Sequence, residues 1–171
     1  NVVDTTSPVI TILGDNPATV ELGATYTDAG ATATDLSGTV EVTSSGTVDT
    51  NMLGEYTITY TSTDPSGNTA TLSRVVNVVD TTAPVIEIVG DNPATTELGA
   101  TYTDAGATAT DLSGEIEVVT TGEVDTDKLG EYTLTYTATD ESGNSSTDTR
   151  VVNVTDTTVP VFTSQSTFVV A

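Results

Sequence analysis

Residues 21–38, ELGATYTDAGATATDLSG, return letter for letter at residues 97–114. The flanking sequence keeps the same register: Asp4 falls on Asp80 and Asp156, Pro8 on Pro84 and Pro160, and Arg74 on Arg150. Laid on residues 80–155, residues 4–79 are identical at 56 of 76 positions. A fixed long period marks tandem structural units rather than one large fold. The chain must therefore build something that closes within 76 residues and follows itself in series. The expected divisions are 4–79 and 80–155. Residues 1–3 are read as the close of a preceding copy, because NVVDTTSP at 1–8 matches NVVDTTAP at 77–84. Residues 156–171 are read as the start of a third, divergent unit, where DTTVPV gives way to FTSQSTFVVA. The whole reads as a segment of a longer array.

Periodicity sets the class. In EYTITYTST (55–63), Tyr56, Ile58 and Tyr60 fall on one face while Thr57, Thr59 and Thr61 fall on the other. This is the period of two that a half-buried strand requires. PVITILG, TVEL, TVEVTSS and TATLSRVVNVV are further runs, each closed by Gly, Asn, Asp or Pro. β-Branched residues dominate and no helical stripe of useful length occurs. The prediction is an all-β chain of tandem immunoglobulin-like antiparallel β-sandwiches, with about seven strands in each unit. LGEY, at Leu53–Tyr56 and again at Leu129–Tyr132, places a tyrosine at the head of a long strand, where such sandwiches carry a tyrosine corner. The alternative is that Tyr56 and Tyr60 simply fill the core. Both readings make them structural.

Charge excludes several functions. The formal net charge is −22, from 25 acidic residues against Arg74, Lys128 and Arg150. Such a chain repels nucleic acid and anionic membrane surfaces, because it cannot neutralise phosphates. No apolar run is long enough to span a bilayer as a helix. Nor is the chain simply disordered, because its apolar residues, 36% of the total, alternate in short runs. With no His and no Cys, it lacks the usual nucleophile and base partners. No glycine-rich phosphate loop precedes a helix, and a thin sandwich offers little cleft for a carboxylate pair to work as a glycosidase. The expectation is that the chain is not an enzyme. A Lys–Asn crosslink, known from some pilin-like domains, is also set aside: Lys128 is the sole lysine, and Met52 stands in its place in the first unit.

Three ordered blocks carry a resemblance. DTTAPVI, GDNPATTELGATYTDAGATATD and LGEYTLTYTATDESGN are similar to the bacterial surface-protein immunoglobulin-like repeats, which are related in pattern to hyalin repeats. The likeness covers nearly all of residues 1–158. It implies an extracellular or bacterial cell-surface protein whose repeats act as stalk or adhesion modules. The tail VPVFTSQSTFVVA departs from it and resembles the opening of a cadherin-like repeat.

Acids are what both units own. If the strands run up and down from Pro84 through TYTDAGATA, EIEVVTT, EYTLTYTAT and a last strand from Ser145, one pole gathers Asp80, Asp111, Asp140 and Asn144. The equivalents in the first unit are Asp4, Asp35, Asp64 and Asn68. Crowded carboxylates repel unless a proton or a cation joins them. No basic residue lies in these segments, and loops that mix carboxylates with amides suit Ca²⁺. The competing explanation is that Asp, Ser, Gly and Asn are ordinary turn formers that cap their own backbone. The junction VVNVVDTTAPV has no Gly- or Ser-rich spacer, and Pro84 restrains it, so a short, stiff link is expected.

The functional expectation is a non-catalytic spacer or stalk of a large surface adhesin, with calcium at the domain junctions. The alternative is a glycan-binding or homophilic cell-adhesion module. Expected partners are neighbouring repeats of the same chain and, through residues 157–171, a strand of the second repeat or of another chain. Val161, Phe162, Phe168, Val169 and Val170 have no sandwich of their own to pack into.

Overall fold

The computed structural model describes residues 3–36 and 38–162. Contacts divide the chain into two compact units, with the division after Thr82. Each unit contains seven strands. In the first these are β1 (Val9–Ile12), β2 (Ala18–Glu21), β3 (Ala31–Asp35), β4 (Gly38–Val40), β5 (Val42–Ser45), β6 (Gly54–Thr63) and β7 (Thr69–Val79). The second repeats them as β8 (Val85–Ile88), β9 (Ala94–Glu97), β10 (Ala107–Asp111), β11 (Gly114–Ile116), β12 (Val118–Thr121), β13 (Gly130–Thr139) and β14 (Ser145–Thr155). Among the described residues there is no helix.

Two sheets face each other in each unit. The first unit orders them β1-β3-β4 and β2-β7-β6-β5, and the second β8-β10-β11 and β9-β14-β13-β12. This is the immunoglobulin-like sandwich the alternation predicts. All the pairings are antiparallel except two: β2 runs parallel to β7, with Ala18 opposite Val76 and Glu21 opposite Val79, and β9 runs parallel to β14.

Ile58, Tyr60 and Val76 are buried at the centre of the first unit, flanked by Ile10, Ile12, Val20, Tyr26, Val42 and Tyr56. Leu134, Tyr136 and Val152 take their places in the second. The tyrosine corner forms: the Tyr56 hydroxyl donates to the Met52 carbonyl at 2.9 Å, and Tyr132 does the same to Lys128 at 3.0 Å. Tyr60 is instead a core residue, 1% exposed.

Two strand expectations are corrected. TYTDAGATA was expected to be continuous strand, but only the part from Ala107 is (from Ala31 in the first unit). The preceding Gly30 has φ +78°, which breaks the extended run, and Tyr26 and Asp28 turn inward to a buried arginine. EIEVVTT is two strands in two sheets, with Glu117 between them. In the first unit the same switch is pinned from the core: the buried Ser62 hydroxyl donates to the Glu41 carbonyl at 2.9 Å. The expected pairing of the tail falls mainly on residues 163–171, including Phe168, Val169 and Val170, which lie outside the described residues. Val161 and Phe162 are exposed and belong to no strand.

Candidate metal centre

Three parts of the first unit meet at its leading pole. The segment before β1 brings Asp4, the end of β3 brings Asp35, and the turn after β6 brings Asp64. One carboxylate oxygen from each lies within 4.8 Å of the other two. Asp80, Asp111 and Asp140 form the equivalent group one repeat later. Each group consists of three of the carboxylates selected from the sequence.

Asn68 and Asn144 each brace one aspartate of their group. The Asn68 backbone amide donates to Asp64 Oδ1 and its Nδ2 to Asp64 Oδ2, both at 2.8 Å. The same Nδ2 reaches the Asp4 carbonyl at 3.2 Å, tying two of the three acids together. Asn144 makes the same pair of bonds to Asp140, both at 2.8 Å. The turn itself is closed by Asp64 N donating to the Asn68 carbonyl and Gly67 N to the Asp64 carbonyl. These are the self-capping bonds that turn chemistry favours. They organise the carboxylates, but they bring no positive charge.

Asp64 is 5% exposed and Asp140 7%. Burial pushes both carboxyls up, but the hydrogen bonds donated by Asn68 or Asn144 and by the turn amides outweigh it, and both sit below the usual aspartate value. Both therefore stay ionised beside two further acids. Asp111 Oδ2 is buried and has no hydrogen-bond partner. All three basic residues of the sequence are engaged elsewhere: Arg74 with Asp28, Lys128 with Asp125 and Arg150 with Asp104. A group of three carboxylates set in turns offers the oxygen donors that a hard divalent cation takes, and flexible loops suit calcium better than magnesium.

A second polar constellation was missed in the sequence. Arg74 is 2% exposed and donates to Asp28 Oδ1 at 2.5 Å and to the Leu13 carbonyl, with its Cζ 5.8 Å from the Tyr60 ring centroid. The Tyr60 hydroxyl donates to both Asp28 oxygens, at 2.7 and 2.8 Å. Burial first, and then Asp28, push the Tyr60 hydroxyl up to about 12. Arg150, Asp104 and Tyr136 repeat the arrangement. The signal was present in TLSRVVNVV: Arg74 shares parity with Val76 and Val78, so strand alternation places it on the core face. Its partners close its charge inside the sandwich, which makes this network structural.

The sandwich and its repeated acidic pole can be compared with known proteins. The family described as "Bacterial surface protein, Ig-like domain" matches residues 10–78 and 86–154. The chain belongs to this family. It is 35% identical over 178 residues to hyalin of Strongylocentrotus purpuratus, covering 95% of this chain and 15% of that protein. Hyalin of Lytechinus variegatus is 38% identical over 184 residues, covering 98% of the chain and 35% of the relative. The serine-rich adhesin for platelets of Staphylococcus aureus is 30% identical over 180 residues, 89% of the chain and 8% of the adhesin. The chain thus spans only a small part of each of these relatives. The family's description places such domains in bacterial surface proteins. No helix among the described residues is long and apolar enough to cross a membrane.

Proposed function

We propose that the two units are non-catalytic spacers of a large surface adhesin, and that calcium bound by the carboxylate groups stiffens the array. The observation that carries this reading is the Asp4–Asp35–Asp64 group, repeated as Asp80–Asp111–Asp140, in a chain whose three basic residues are all engaged elsewhere. A cation joining the pre-β1 segment to two internal turns would restrain the chain where each repeat begins. One with the weak affinity of extracellular modules, about 10⁻⁴ to 10⁻³ M, would be filled outside cells. Relatives named as adhesins support the surface role.

The spacer reading is favoured over a glycan platform because Tyr26, Tyr56 and Tyr60 are all committed to the core. The test of the spacer role is small-angle scattering on the two-unit chain. A distance distribution that narrows with calcium and broadens in EDTA is expected; identical distributions under both conditions would contradict the stiffening.

A further inference from the structure

The opening segment of each unit tracks its last strand. The Asp4 carbonyl accepts from Asn68 just before β7 begins. Further along, the Leu13 carbonyl accepts from Arg74. Asn16 then clasps the strand, its Nδ2 donating to the Ser73 carbonyl at 3.1 Å and its Oδ1 accepting from the Val75 amide at 2.9 Å. β2 follows with four parallel pairs, Ala18–Glu21 against Val76–Val79.

At the trailing end, Leu22 N donates to the Val79 carbonyl at 2.7 Å. The Glu21 carboxylate accepts from the Thr81 amide at 2.7 Å and from the Thr81 and Thr82 hydroxyls, both at 2.9 Å. The second unit repeats the seam. Asn92 bonds the Thr149 carbonyl and the Val151 amide, Ala94–Glu97 pair with Val152–Thr155, and Glu97 accepts from the Thr157 amide and hydroxyl.

This course fixes where force would act. Residues 4–21 run beside residues 68–79 in the same direction, so the chain enters each unit at one pole and leaves it at the other. We infer that the parallel β2–β7 seam, closed at one end by Asn16 and at the other by Glu21, is the clamp that resists stretching of the unit. Tension along the chain draws β2 and β7 in opposite directions along their own length. The evenly spaced, slanted rungs of the parallel pair are loaded together by that pull, whereas a ladder opened from one end loses its bonds one at a time. Resistance to forced unfolding is set by that barrier to opening, not by equilibrium stability alone. The inference deepens the spacer proposal and rests on its reading that the chain works under tension.

Single-molecule force spectroscopy tests the clamp, and the absence of native cysteine allows handles to be placed by substitution. Handles at Ser7→Cys and Ala83→Cys pull from opposite poles and load the seam in shear. Handles at Thr25→Cys and Ala83→Cys pull from the trailing pole and unzip it. In EDTA, the shear geometry should need a clearly higher rupture force than the unzipping geometry, because its rungs break together. Asn16→Ala and Glu21→Ala should each lower the shear force. Equal forces in the two geometries, or shear forces unchanged by both substitutions, would overturn the clamp. If either variant fails to fold, the comparison of geometries in the unsubstituted background decides. Because the experiment is run without calcium, a strong clamp in a chain that binds no calcium would remove only the metal from the proposed function. Calcium binding with a weak shear geometry would remove only the clamp.

Discussion

Arg74 Nη1 lies 2.5 Å from Asp28 Oδ1, and this ion pair joins the middle of β7 to the segment that leads into β3. The arginine is buried to 2% exposure, the aspartate to 24%, and Tyr60 bonds the same carboxylate. Removing one partner of such a pair leaves an uncompensated buried charge, which costs about 3–5 kcal/mol. Asp28→Ala should therefore destabilise the first unit by about 3 kcal/mol, the low end of that range because Asp28 keeps some solvent contact. In urea, the transition of the first unit should move to lower denaturant while that of the second stays in place. A single unshifted transition would show that the pair is dispensable.

Alkaline pH should act on the same network. The Tyr60 and Tyr136 hydroxyls are raised from 10.0 to about 12, by burial first and then by Asp28 or Asp104. A raised value means that the folded state holds the proton more tightly than the unfolded chain. The stabilisation is fully present below the unfolded value of 10.0 and is lost as pH climbs towards about 12. Thermal melts should fall steeply across that window, and Tyr60→Phe with Tyr136→Phe should flatten the fall. A steep loss that persists in the double variant would assign it to other groups.

Acid pH should release the trailing pole. Glu21 sits below its ordinary 4.5 because the Thr81 amide, and then the Thr81 and Thr82 hydroxyls, donate to it. A lowered folded value gives a stabilisation that is present above 4.5 and is lost as pH falls through the folded value. Exchange protection of the Thr81 amide should drop over that acid range. Glu21→Gln should remove the dependence, and a profile indifferent to the substitution would contradict the assignment.

A methyl group at Gly46 should be harmful. Gly46 has φ +112°, and an added Cβ would stand 2.3 Å from the Thr57 carbonyl oxygen. Gly30 also has a positive φ, +78°, but has open space around it. Gly30→Ala should cost about 1 kcal/mol from backbone strain alone, and Gly46→Ala clearly more, because β6 backbone must also move. Equal costs measured by chemical denaturation would count against the close approach.

The sequence carried much of this. Alternation in EYTITYTST marked β6 and its buried face, LGEY marked the tyrosine corner, and an up-and-down trace of the strands led to the Asp80–Asp111–Asp140 group and its equivalent, Asp4–Asp35–Asp64. These features rest on short-range pattern, or on turns that all fall at one pole of an up-and-down trace. What stayed hidden depends on long-range pairing. Nothing local to Ala18–Glu21 says that it joins β7 in parallel, 58 residues away. Glu21 looks like any surface acid until Thr81 and Thr82 are folded beside it. Asp28 was read as part of a strand because its partner Arg74 lies 46 residues further on.

Calcium binding is the central claim, and isothermal titration calorimetry tests it most directly. The two-unit chain should show saturable binding with a dissociation constant of about 10⁻⁴ to 10⁻³ M. Asp35→Asn with Asp64→Asn should abolish the share contributed by the first group, and Asp111→Asn with Asp140→Asn the share of the second. No saturable heat up to about 10 mM calcium, or binding unchanged in both variants, would contradict the account.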